Sequence, residues 1–210
     1  MAWWWRRRPS LSVAQLVSDG FVALDLETTG LDPRRDAVVS LAAIPFIQGQ
    51  PQPGLRTLVN PGRPIPPAAT QIHGLDDAAV ASGPPIAAVL PRLAAECDGR
   101  VLVGYAIDFD LAVLKRHARA CALRPLRNHA LDARDLALGL DVRRRPDTLE
   151  GLAERLGVPV IGRHTAPGDA IIAGLILLEL LREYETRGVR TVTELLRLQR
   201  STRSSRYRPP

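Results

Sequence analysis

The sequence predicts a single α/β domain, a mixed β-sheet with helices packed on its faces. Three observations lead there. "FVALDL", "AVVSLAAIPFI" and "LRTLVN" are strand-like runs, the last two joined around a Gly49 turn, and together they read as an antiparallel meander. "RVLVGYA" followed by the helix-periodic "DLAVLKRHARAC" adds a strand and helix in the parallel manner. "AIIAGLILLELL", Ala170 to Leu181, is a continuous apolar run suited to a buried helix. A length of 210 residues suits one core of good size.

Taken in order, the first strand covers roughly Phe21 to Leu26. The meander follows, then the proline-rich connection "NPGRPIPP" and a short helix-compatible "AATQIHGL". "SGPPIAAVLPRLAAEC" starts a helix at Pro84 or Pro85, and Pro91 inside it demands a kink. The helix after "RVLVGYA" places Leu111, Leu114 and Ala118 on one side. "LDARDLALGL" and "DTLEGLAERLG" read as two helices, the second with Asp147 as N-cap and Gly157 at its end. The last core helix begins near Pro167 and continues to about Arg187. "TVTELLRLQR" adds a short amphipathic helix, and the Arg/Ser/Pro tail beyond it reads as unstructured. The chain thus divides into a basic, aromatic segment over 1–17, a main domain over 18–187 and a basic tail over 188–210.

Net charge is +6 and uneven: residues 1–10 carry three Arg, and residues 187–210 seven Arg against one Glu, over an acidic body. Basic tails on an acidic body suit attraction to a polyanion, although a solvated terminus explains them equally. Cys97 and Cys121 are too few for a disulfide framework and lack zinc-ligand spacing, so a reducing, cytoplasmic setting is expected. The start "MAWWWRRRPS" makes a poor signal peptide, and the apolar run containing Glu179 is too short to span a bilayer. No stable membrane insertion is expected. Trp3 to Trp5 beside Arg6 to Arg8 suit a loose terminus or a docking segment, ahead of a membrane interface or base stacking.

Asp25 and Glu27 lie two apart on the first strand, so both side chains point the same way. Two carboxylates so placed repel unless a cation or a shared proton compensates. Asp110, at a strand-to-helix junction, and Asp169, where the long helix begins, could join them at one edge of the sheet. Taken singly, each acid suits a cap or a solvated charge. Four hard oxygen ligands suit two Mg²⁺ ions, with Mn²⁺ able to substitute. Such a pair supports in-line phosphoryl displacement. His164 stays on the loop before that helix, free to lean over the acids and accept a proton from the attacking water, or to remain a surface histidine.

With these residues in hand, the chain resembles the DEDDh family of 3′–5′ exonucleases, which includes proofreading epsilon subunits of bacterial replicative DNA polymerases. The motifs are "ALDLETTGLDP", "VGYAIDFDLAVL" and "HTAPGDA", with "QIHGL" and "LDARDLA" between them. The resemblance implies a ribonuclease-H-like fold, metal binding by Asp25, Glu27, Asp110 and Asp169, and His164 as general base. It also implies that Thr28, Thr29, Leu31, His73 and Phe109 surround the terminal nucleotide. One departure stands out: Tyr105 and Ala106 follow Gly104 where the family often has His-Asn. Asp108 is a further carboxylate beside Asp110, and the Phe109-Asp110 alignment favours Asp110 as the ligand. The expected activity is metal-dependent release of nucleoside 5′-monophosphates from a 3′ end, with single-stranded DNA favoured and a DNA polymerase as a possible partner. Two alternatives stand beside it: a nucleic-acid-binding or polymerase-accessory module attached by its basic tail, and an exonuclease of RNA or short oligonucleotides.

Overall fold

A computed structural model of the chain describes residues 11–141 and 148–206, with side chains through residue 204. Among the described residues, six strands form one sheet: β1 Phe21–Thr28, β2 Val38–Ile47, β3 Gln50–Pro51, β4 Leu55–Leu58, β5 Leu102–Gly104 and β6 Ala130–Asp132. The sheet order is β3-β2-β1-β5-β6, with β4 also paired to β2. β1 to β4 are joined antiparallel, while β5 and β6 add parallel to β1. The meander turns at Gln48 and Gly49, both with positive φ, as a tight hairpin requires. The α/β class and the mixed sheet agree with the expectation.

Around the sheet lie α1 Val13–Asp19, α2 Pro67–His73, α3 Asp77–Val80, α4 Ile86–Cys97, α5 Asp108–Ala120, α6 Ala133–Leu140, α7 Leu149–Arg155, α8 Ala166–Thr186 and α9 Val192–Arg206. Strand alternation sorts them into two layers. Phe21 and Ala23 of β1 join Ala42, Ile44 and Phe46 of β2 in a core with α8, α1 and α6. Val22, Leu24 and Leu26 face the other way, into a core with α4 and α5. Phe21 and Phe46 are register partners and stack at 4.9 Å between centroids. α8 lies flat on this pair because it presents Gly174 there: a Cβ would come within 2.4 Å of the Phe46 ring. Its Ile172, Ile176, Leu177 and Leu180 are buried, each worth roughly 1.5–3 kcal/mol.

Four details differ from the sequence reading. Residues 130–132 form β6 before α6 begins; three residues are too few to show a strand period. Thr148, not Asp147, caps α7, its hydroxyl accepting from the Gly151 N–H at 3.1 Å; Asp147 itself lies outside the described residues. Val13 and Leu16 of α1 are buried in the core, so part of the 1–17 segment belongs to the body. α9 continues through the Arg/Ser run to Arg206 and packs on α6 and β6, with Val192 and Leu195 buried. Pro91 sits inside α4 as expected, with Pro85 at its N-cap. Among the described residues, no helix is long and apolar enough to cross a membrane. Trp3 to Trp5, and the tail beyond Arg206, lie outside the described residues.

Candidate active site

Asp25 and Glu27 continue the alternation of Phe21 and Ala23, so they emerge on the α8 side of β1 where the core ends. α8 brings Asp169 to the same place in its first turn. One carboxylate oxygen from each of Asp25, Glu27 and Asp169 lies within 4.8 Å of the others. Asp110 enters from α5, on the opposite layer, and is buried. It faces the group closely enough that its charge acts on Asp25. Asp108, by contrast, turns away to an ion pair with Arg203 at 2.7 Å.

The electrostatics are those of carboxylates short of a cation. Loss of hydration, then the charges of Asp110, Asp169 and Glu27, push the Asp25 carboxyl well above the usual carboxylate range. Loss of hydration and Asp169 push Glu27 up to about 7. Burial likewise raises Asp110 and Asp169. Asp169 accepts a hydrogen bond from Arg163 on Oδ2, while its Oδ1 is buried with no hydrogen-bond partner. An orphaned carboxylate oxygen among three other acids, with no sulfur or imidazole in the set, fits Mg²⁺ or Mn²⁺.

His164 precedes the N-cap Thr165 and has φ of +61°, an uncommon conformation for a side-chain-bearing residue. The loop is held there from below. Thr165 donates its hydroxyl to the Gly162 carbonyl at 2.6 Å, and Gly168 packs so closely that a Cβ would meet that carbonyl oxygen at 1.9 Å. His164 Nε2 lies 3.8 Å from Glu150 Oε1 of α7, and the same oxygen pairs with Arg163 at 2.5 Å. Burial opposes the charge of Glu150, yet hydrogen bonds from its own backbone and from Arg163 hold it below the usual carboxylate range.

The residues after Glu27 form a braced turn. A register shift between Glu27 and Thr28 ends the regular pairing with β2. Thr28 donates to the Gly30 carbonyl at 2.6 Å, and Thr29 to Asp36 at 2.9 Å. Asp36 also accepts from the Asp32 N–H at 2.8 Å, and Arg116 of α5 reaches the carbonyls of Pro33 and Asp36. Thr28 and Thr29 are buried, with their hydroxyls already used inside the turn, and Leu31 at its tip is 85% exposed. Phe109 is partly buried against the α4/α5 core. His73 accepts from the Leu75 N–H on Nδ1 at 3.1 Å, and its buried Nε2 lies beside the Thr28 backbone. Burial lowers its pKa.

A cavity of about 330 Å³ opens next to the acids, lined among others by Glu27, His73 and His164. Thr28, Thr29, Leu31 and Phe109 are not among the residues lining it. Sequence reasoning missed Asp36, Arg116, Glu150 and Arg163. Their roles depend on contacts made by the folded chain, and "LDPRRDA" carries only the faint signal of a second acid four residues after the first.

An exonuclease family model, RNase_T, matches residues 22–177, a span holding all of the acids and His164. The chain belongs to the RNase_T exonuclease family. It is a DEDDh-type 3′–5′ exonuclease domain with a ribonuclease-H-like fold, as its three motifs led one to expect. A DNA polymerase III subunit epsilon-like protein of Rhodobacter capsulatus is 38% identical to this RNase_T member over 181 residues, 84% of this chain and 26% of that protein. The DNA polymerase III subunit epsilon of Aquifex aeolicus is 29% identical over 175 residues, 83% and 87% of the two chains. Exonuclease X, solved in complex with 5′ overhanging duplex DNA, shares the fold with a TM-score of 0.64 at 24% identity, over 78% of this chain and 92% of that one. The RNase_T chain spans about a quarter of the length of the Rhodobacter relative.

Proposed function

We propose that this protein shortens DNA from the 3′ end, releasing nucleoside 5′-monophosphates with the help of two Mg²⁺ ions, for which Mn²⁺ can substitute. The observation that carries the reading is the convergence of Asp25, Glu27 and Asp169, with the charge of Asp110 acting on Asp25, beside a cavity lined by Glu27 and His164. Those four carboxylates would hold the metals, which supply Lewis-acid stabilisation of the phosphoryl and leaving oxygens and lower the pKa of water. His164 takes the proton of the attacking water. With Nε2 turned toward Glu150, Nδ1 is the nitrogen left to receive it, and the Glu150 carboxylate stabilises the imidazolium that forms. Thr28 and Thr29 shape the turn that offers backbone groups to the terminal nucleotide, Leu31 and Phe109 flank it, and His73 forms the far wall.

The names of the relatives support DNA as the substrate and a replicative polymerase as a partner. The basic tail gives that partnership less support than its composition suggests, because Arg190 and Arg203 are engaged within the body. A cytoplasmic location follows from the same reading. A panel of end-labelled single-stranded DNA, duplex DNA with a mismatched 3′ end, RNA and dinucleotides, each with Mg²⁺ or Mn²⁺, tests it. Stepwise 3′ shortening is expected, strongest on DNA. Asp25→Ala and Asp169→Ala should each lower kcat by at least about a thousandfold while remaining folded; activity retained in either would reject the ligand set.

A further inference from the structure

Arg56 differs from the other arginines around the site. Arg116, Arg163 and Arg203 are engaged with carbonyls or carboxylates. Arg56 is exposed on β4 and makes no hydrogen bond or ion pair with any described residue. The register of the sheet explains where it points. Asp25 pairs with Ala42 and Ala42 with Arg56; in the next row, Glu27 pairs with Ser40 and Ser40 with Leu58. Register partners share a face, so Arg56 and Leu58 stand on the α8 side with the acids, two strand spacings or about 10 Å away. In these two rows the strand between them contributes only Ala42 and Ser40 to this face. Their small side chains leave room for the cavity, whose lining includes Glu27 and His164 as well as Arg56, Leu58 and Leu75.

We propose that Arg56 is a substrate-binding residue that holds the phosphate next to the scissile one; this rests on the exonuclease reading above. A strand whose last phosphodiester lies at the acids must place its next phosphate away from them, because carboxylates repel it. Among the described residues, Arg56 is the unengaged arginine on the cavity wall. A guanidinium is always charged, and its planar fork matches two phosphate oxygens at once. Leu58, on the same face of β4, offers an apolar seat for the intervening sugar or base.

Two substrates separate this role from others. The p-nitrophenyl ester of thymidine 5′-monophosphate carries only the scissile phosphate, whereas the trinucleotide TpTpT carries one more. In Arg56→Ala the KM penalty on TpTpT should exceed that on the ester by about tenfold, the effect of one charge-assisted contact. The salt dependence of binding to longer single strands should flatten by about 0.7 in log–log slope. Arg56→Lys should recover part of the loss. Equal penalties on both substrates, or none on TpTpT, would overturn the proposal while leaving the nuclease intact. Hydrolysis of neither substrate by the unsubstituted protein would overturn the nuclease reading and this proposal with it.

Discussion

Ala106 holds a backbone conformation to which its side chain is poorly suited. Its φ is +58°, in the left-handed region where a Cβ costs about 1 kcal/mol and only Gly and Asn are at ease. Its N–H donates to Asp132 at 3.0 Å, which fixes the turn leading into α5 and Asp110. Here the departure from the family's His-Asn gains a physical meaning: this is the position at which that pattern puts Asn. Ala106→Asn should therefore stabilise the protein by about 0.5–1 kcal/mol, read as a rise of about 1–4 °C in Tm. A fall in Tm would mean that the turn needs a small side chain more than an easy dihedral. The substitution was legible in the sequence, but its strain was not, because a dihedral depends on the partner that holds it and Asp132 lies 26 residues away.

α9 shows the same limit at the scale of an element. Its Arg/Ser-rich end has the composition of a frayed tail, yet Arg203 meets three carboxylates: Asp108 at the start of α5, Asp132 at the end of β6 and Asp135 in α6. Gln199 accepts from the Asp132 N–H at 2.8 Å and donates to the Ala130 carbonyl at 3.2 Å. A side-chain amide thereby takes the place of a neighbouring strand along the open edge of β6. None of these partners is near in sequence, so no local pattern announces them. β1 was legible for the opposite reason, since its alternation and its two acids are both local. Arg203→Ala leaves Asp132 and Asp135 buried without their shared cation, at a cost of about 2–3 kcal/mol. Hydrogen exchange should show the α9 amides losing protection ahead of the rest of the sheet. An unchanged Tm would mean that Val192 and Leu195 dock the helix alone.

At the scale of the whole molecule, the site is a place where function opposes stability. Asp25, Glu27, Asp110 and Asp169 all have raised pKa values in the folded state. The metal-free fold therefore holds protons that the unfolded chain would release. Their contribution to stability is fully present below the unfolded carboxylate pKa, near 4–4.5, and is lost as pH rises through the folded value, about 7 for Glu27. Divalent cations take over from those protons, so Mg²⁺ should raise Tm more near pH 8 than near pH 5, where it must displace them. Glu27→Gln separates this linkage from every other titrating group. With EDTA near pH 8 the variant should be more stable than the parent by about 1–2 kcal/mol, the shift discounted for the solvent that reaches this half-buried group. The difference should shrink to a small fraction near pH 5 and vanish below about pH 4, and the variant should gain less from Mg²⁺ than the parent at either pH. Thermal unfolding of both proteins across this range, with and without Mg²⁺, measures all three outcomes. A variant less stable than the parent near pH 8 without metal would show that Arg163, and not a divalent cation, already balances the acids.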